Sequence, residues 1–150
     1  MPDISRGKRI RYWFEGLGAA IGLGISRALP LPAASAMGGF LARTIGPRAG
    51  ISKRARINLR RAMPQLSEAE IERVVRGMWD NLGRVVAEFP HFAKFHVYDP
   101  DGPVEVVGFM NRLKETPPAP DEKYIFVSGH YGNWEIMPFA VTQAGLQTTE

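Results

Sequence analysis

The chain is 150 residues long, enough for one ordinary domain, and it contains no cysteine. That excludes a disulfide framework, a thiol nucleophile and a cysteine-based metal site. The net charge of +4 conceals an asymmetry: residues 1–63 hold 12 Lys/Arg against 2 Asp/Glu, a net +10, while residues 64–150 hold 7 against 13, a net −6. A basic front of this kind suits an anionic surface.

The chain opens with Arg6, Lys8, Arg9 and Arg11, followed by Tyr12, Trp13 and Phe14. Gly16 to Ser26 is an uncharged run of 11 mainly apolar and small residues, and a second charge-free run extends from Ala28 to Ala42. Neither reaches the roughly 20 residues of a spanning helix. A cleavable signal peptide competes, because basic residues precede an apolar run and Ala33-Ala34-Ser35-Ala36 follows it. The aromatic trio beside the basic residues favours instead a membrane-seated helical pair, with the charges marking the cytoplasmic side. Residues 1–45 are therefore expected to be a membrane-anchoring segment, distinct from a folded part over residues 46–150.

Residues 43–63 carry seven Lys/Arg, and Ile51, Ala55, Leu59 and Ala62 fall at helical spacing, which predicts a basic amphipathic helix. Its basic face suits phosphates. No Phe, Tyr or Trp lies between Phe40 and Trp79, so a stacking platform for single-stranded nucleic acid is missing. Membrane lipid is the better partner, and no nucleic-acid partner is expected.

Ser67-Glu68-Ala69-Glu70 is a capping box, and it predicts a helix over residues 68–89. Ile71, Val74, Val75, Met78, Leu82, Val85, Val86 and Phe89 form its apolar stripe. Asn81, Arg84 and Glu88 lie three and four residues apart along a flank, so they are neighbours. They read first as a structural polar set, or as part of a site wall.

After the turn cluster Asp99-Pro100-Asp101-Gly102-Pro103, Val104 to Val107 is a strand candidate and Gly108 to Glu115 a short helix. Thr116 to Pro120 is a loop, Lys123 to Ser128 a second, apolar strand, and Ile136 to Ala144 a helix. This βαβα order predicts an α/β fold with a parallel strand pair and a right-handed crossover. Two strands make a poor sheet, so a longer protein is expected beyond Glu150.

Between the second strand and the last helix lies Gly129-His130-Tyr131-Gly132-Asn133-Trp134-Glu135. Five residues of continuous helix rotate by about 500°, so His130 and Glu135 would point roughly 140° apart. They meet only if the chain turns, and Gly129 and Gly132 supply that freedom. Asn133 is a suitable cap, and Pro138 requires a late helix start, since its missing N–H is tolerated only in the first turn. A histidine and a glutamate at this spacing also occur as unrelated surface residues. The glycines, the strand before and the tryptophan inside bring this reading level with a second one, in which the carboxylate bonds one ring nitrogen and leaves the other to accept a proton. There is no Walker loop, dinucleotide fingerprint or metal-ligand cluster, so neither cofactor nor metal is implied.

The block His130, Gly132, Asn133, Trp134 and Glu135 resembles the His-x-Gly-Asn-Trp-Glu block of the bacterial lipid A biosynthesis (lauroyl/myristoyl) acyltransferases, within the lysophospholipid acyltransferase superfamily. The likeness extends through Asn58-Leu59, Met63-Pro64 and Asn81-Leu82-Gly83-Arg84. It implies N-terminal membrane helices followed by the first part of an acyltransferase-type αβα sheet domain, incomplete at residue 150. It implies transfer of an acyl group from acyl carrier protein to a hydroxyl of a lipid A precursor, at the cytoplasmic face of the bacterial inner membrane. His130 would be the general base and Glu135 its orienting acid. Gly132, Asn133 and Trp134 would build the turn, and Asn81 and Arg84 would shape the site. Two other readings stand beside it. A glycerolipid acyltransferase usually has Asp as the acid and lacks Asn-Trp, and a non-catalytic peripheral membrane module would use only the basic helix.

Overall fold

A computed structural model describes residues 5–108, 112–113, 115–116, 119 and 122–146. Its contacts divide the chain into two compact units, Met1–His91 and Phe92–Glu150.

Among the described residues the first unit is built from four α-helices. α1 (Arg6–Ala28) stops where Leu29 takes the extended conformation that a following proline imposes. α2 (Leu31–Ile45) begins at once, with Pro32 in its first turn, where the missing N–H costs nothing. A 3-10 turn (Gly46–Arg48) leads into α3 (Ser52–Ala62), and α4 runs from Glu68 to Glu88. The capping box at Ser67 is formed in both directions: the Glu70 amide donates to the Ser67 hydroxyl, and the Ser67 amide donates to Glu70 Oε2 at 2.8 Å.

α2 packs on α4 through glycine. Gly38 and Gly83 face each other so closely that a Cβ on either would overlap the other's carbonyl oxygen. Ala34 on α2 and Ile71, Val75 and Val85 on α4 are essentially inaccessible. A second tie closes the far end of α2. The Trp79 ring lies against Gly46, where no side chain fits, and its indole N–H donates to Ser52 Oγ at 2.8 Å. Ser52 in turn donates to the Gly46 carbonyl at 2.7 Å, so both buried polar groups are satisfied. Arg56 forks onto Glu72, joining α3 to α4. At the end of α1, Ser26 donates to the Ala87 carbonyl, and the buried His91 ring bonds the Ser26 carbonyl at 3.0 Å. His91 is thus a structural histidine.

In the second unit, α5 (Ile136–Gln143) is clamped to the segment that opens the unit. Gln143 accepts from the Val97 amide at 2.9 Å and donates to the Phe95 carbonyl at 2.7 Å. Tyr98 donates to the Ala140 carbonyl at 2.9 Å, and burial pushes its phenol pKa up. Phe92 packs edge-on against Phe95 and Phe139. Phe95, Val97, Leu113, Ala140, Val141 and Ala144 form the buried core.

This architecture corrects three expectations. The α/β fold with a βαβα sheet is not what forms: among the described residues every regular element is helical, and residues 104–107 and 123–128 belong to no strand. β-prone composition reports a fit to a pleated, half-buried surface, but a strand exists only when a neighbour accepts its lateral hydrogen bonds. Ile125 is 93% exposed and Val127 86%, so neither faces such a neighbour. Of the helix expected over residues 108–115, Arg112, Leu113 and Glu115 are helical, and the residues between lie outside those described.

The membrane-seated helices are corrected too, because no described helix is long and apolar enough to cross a membrane. The charge-free run Ala28–Ala42 supplies α2, whose small residues serve close packing on α4. Small-residue runs have the same composition for either purpose, since both bring backbones close. Third, the basic helix expected over residues 43–63 is interrupted: α2 ends at Ile45, Gly46-Pro47-Arg48 make the 3-10 turn, and only Ser52–Ala62 continue as helix. Pro47 denies an amide to a continuous helix at that point.

Candidate active site

Residues 122–131 run without regular structure. Phe126, Ser128, Gly129 and His130 line one cleft, and of residues 122–131 only Phe126 is partly buried. The chain then turns. The Tyr131 amide donates to the Gly129 carbonyl at 2.8 Å, and Gly132 adopts φ +54°, in the left-handed region that favours glycine. The Ile136 amide donates to the Asn133 carbonyl at 3.2 Å and the Met137 amide to the Trp134 carbonyl at 3.3 Å, which opens α5. Glu135, not Asn133, takes the cap position, with helical dihedrals and no side-chain cap bond. Pro138 falls in the first turn, as its missing N–H requires.

The turn brings His130 onto Trp134, with ring centroids 4.7 Å apart at 52°. Both rings border a cleft of about 350 Å³, whose remaining walls include Met137, Pro138 and Val141 on α5. Met137 and Val141 lie four apart and so share a helix face. The cleft thus sets an apolar wall beside a single titratable nitrogen heterocycle.

The expected site residues are placed as follows. His130 and Trp134 are in contact, with Gly132 and Asn133 forming the turn between them. Glu135 stands at the opening of α5, half-buried, and among the described residues no hydrogen bond joins its carboxylate to His130. Asn81 and Arg84 lie on α4 in the first unit. Arg84 donates to Asp80 Oδ2 at 2.7 Å and lies 3.5 Å from Ser35 Oγ. Arg43 reaches the other Asp80 oxygen at 3.1 Å. The hydrogen bond from Arg84, with the charge of both arginines, holds the Asp80 pKa below the ordinary carboxylate range. Sequence reasoning passed over Asp80, although its i,i+4 spacing to Arg84 is a readable signal. It also passed over Phe126, Met137 and Val141, although the four-residue spacing of the last two points at the cleft.

The described residues thus place apolar side chains and the His130 ring at one cleft. A sequence model of the family described as bacterial lipid A biosynthesis acyltransferase matches residues 5–149, and the chain belongs to that family. Comparison with curated proteins and with solved structures returned no match. Family membership makes the chain an acyltransferase type of lipid A biosynthesis, with a lipid acceptor and an acyl donor.

Proposed function

We propose that the protein transfers a fatty acyl group from an acyl carrier protein thioester to a hydroxyl of a lipid A precursor, with His130 as general base. The observation that supports this reading is the His130 ring packed at a tilt against Trp134 at an apolar cleft of about 350 Å³. The acyl chain lies along Met137 and Val141, and the thioester carbonyl sits by the imidazole. His130 takes the proton of the acceptor hydroxyl as its oxygen attacks the carbonyl carbon. The tetrahedral intermediate collapses, the C–S bond breaks, and the imidazolium returns the proton to the leaving thiolate. The nucleophile comes from the acceptor, so no acyl-enzyme is required.

Glu135 orients the ring and favours the imidazolium once its side chain comes within bonding distance. Such bonds often close only when substrate is bound. The left-handed Gly132 is the natural pivot for that closure. Gly132, Asn133 and Trp134 shape the turn, and Asn81 and Arg84 help to hold the wall of the first unit. The reaction takes place at the cytoplasmic face of the bacterial inner membrane. The +10 charge of residues 1–63, which complements anionic membrane lipid, supports that placement.

The test supplies the protein with an acyl-loaded carrier protein and a lipid A precursor and follows thiol release and the mass of the lipid. Stoichiometric thiol and acylated lipid are expected. Thiol release without lipid acylation would remove the acceptor from the reading, and equal rates with acyl-coenzyme A would remove the carrier protein.

A further inference from the structure

The first unit carries a cleft that the acyl-transfer reading does not use. It measures about 460 Å³, within the range of small-molecule sites. Its walls hold four guanidinium groups against one carboxylate: Arg43 from the end of α2, Arg48 from the 3-10 turn, Arg56 from α3, and Arg76 with Glu72 from α4. Two of the four are already matched. Arg56 forks onto both oxygens of Glu72, with its Nη2 also donating to the Pro47 carbonyl at 2.9 Å. Arg43 is paired with Asp80. Arg76 lies four residues from Glu72, and its charge also helps to lower the Glu72 pKa, so Glu72 is shared between Arg56 and Arg76; Arg48 has no carboxylate partner among the described residues. Arg48 donates only to the Thr44 carbonyl, and Arg76 makes no hydrogen bond there.

We propose that this cleft binds a phosphate monoester, through Arg48 and Arg76. Four guanidinium groups against the carboxylates of Glu72 and Asp80 leave an excess of two positive charges, which matches a phosphate dianion, and each guanidinium presents a planar fork that fits two phosphate oxygens. Arg56 and Arg43 are held in place by their carboxylates, so much of the wall is ordered before a ligand arrives. The cleft is larger than one phosphate group, which leaves room for the molecule that carries it. The lining contains no aromatic ring on which a base would stack, which disfavours nucleic acid. The phosphate can belong to a lipid headgroup or to a soluble molecule. The inference stands independently of His130 and is tested without activity.

The experiment uses the full chain. Calorimetry with glycerol 3-phosphate reads a soluble ligand. Co-sedimentation with phosphatidylcholine vesicles, with and without phosphatidic acid, reads a lipid headgroup. The variant is R48Q/R76Q, and the charge-matched control is R54Q/R61Q, two exposed α3 residues outside the cleft. Saturable binding to at least one probe is expected, weakened at least about tenfold by the cleft variant and no more than about twofold by the control. Binding to vesicles alone assigns the phosphate to a lipid, and binding to glycerol 3-phosphate alone assigns it to a soluble molecule. Arg48 also bonds the last turn of α2, so R76Q alone serves as the conservative variant, with R76K retaining part of the affinity. Equal losses in the cleft and control variants would reduce the effect to diffuse surface charge and overturn the proposal. Absence of saturable binding to both probes would also overturn it.

Discussion

The α2–α4 seam and the segment 122–135 solve opposite problems. In the seam, Gly38 and Gly83 bring two backbones into contact, Ala34, Val75 and Val85 are buried on the same two helices, and Trp79, Ser52 and Gly46 satisfy one another. Nearly every group there has one place to be. In the segment, Tyr131 is 87% exposed, Ile125 and Val127 more or less equally so, and the turn rests on a left-handed glycine and a few backbone bonds. Loss of one atom in the seam is felt by its neighbours, whereas the segment can rearrange at little cost. Under the proposed function, stability and chemistry fall to different residues, and substitutions should separate them cleanly.

The largest separation is expected at His130. Because His130 is exposed and its aromatic contact is with Trp134 at the edge of an open cleft, His130→Ala should leave the thermal midpoint unchanged. Acyl transfer should fall by about 10²–10⁴-fold, the usual contribution of a general base. Retained transfer would remove His130 from the chemistry, and a lowered midpoint would make it structural.

Glu135 should give a smaller loss. Glu135→Gln keeps the shape but removes the charge that favours the imidazolium, and it is expected to leave little activity. Glu135→Asp keeps the charge with a shorter reach and should be partly active. Loss of the carboxylate should also lower the apparent pKa of the base in the pH–rate profile, because a nearby negative charge favours its protonated form. A wild-type rate with an unmoved profile for Glu135→Gln would confine Glu135 to the helix terminus, where a carboxylate suits the dipole.

What could be read in advance divides along the same line. α4 was legible almost to the residue, 68–89 against Glu68–Glu88, because a capping box and a 3.6-residue stripe are local signals. The turn at Gly129–Glu135 was legible because its glycines and Pro138 permit few backbone paths. The strands were not, since a two-residue period specifies which side chains share a side but not whether a neighbour pairs with the backbone. The stretch 122–131 instead contributes consecutive residues, Ser128, Gly129 and His130, to the cleft. The core of the second unit was not legible either. Phe95 and Val97 lie outside any periodic segment, and their amide and carbonyl are met by Gln143, a partner more than forty residues away. The run Ala28–Ala42 misled because close packing and a membrane select the same small residues.

The seam itself can be broken by one methyl group. Gly83→Ala should destabilise by about 1–3 kcal/mol, the cost of overpacking against a carbonyl that cannot move aside. Gly16→Ala on α1 meets nothing within 4 Å, and it should stabilise by up to about 1 kcal/mol through helix propensity. Denaturant unfolding of the two variants reads the contrast directly. If both alanines acted alike, the glycines would matter only for the flexibility of the unfolded chain.

The finest distinction concerns charge within the seam. Asp80 receives Arg84 on one oxygen and Arg43 on the other, and its pKa is held below the ordinary value first by the Arg84 hydrogen bond. A depressed folded-state pKa means that the native state binds the proton less readily than the unfolded chain does. The resulting stability is complete above the ordinary aspartate range and is lost as pH falls through the depressed value. The pair is partly solvated, so the effect is the smallest of those considered. Asp80→Asn keeps the outline of the side chain and removes its charge. Its thermal midpoint should lie below the wild type at pH 7, and the gap should narrow as acid protonates the wild-type carboxylate. A gap that stayed constant from pH 7 to about pH 2.5 would show that Asp80 acts by shape and neutral hydrogen bonding. The two arginines would then be ordered by their own packing instead of by the charge between them.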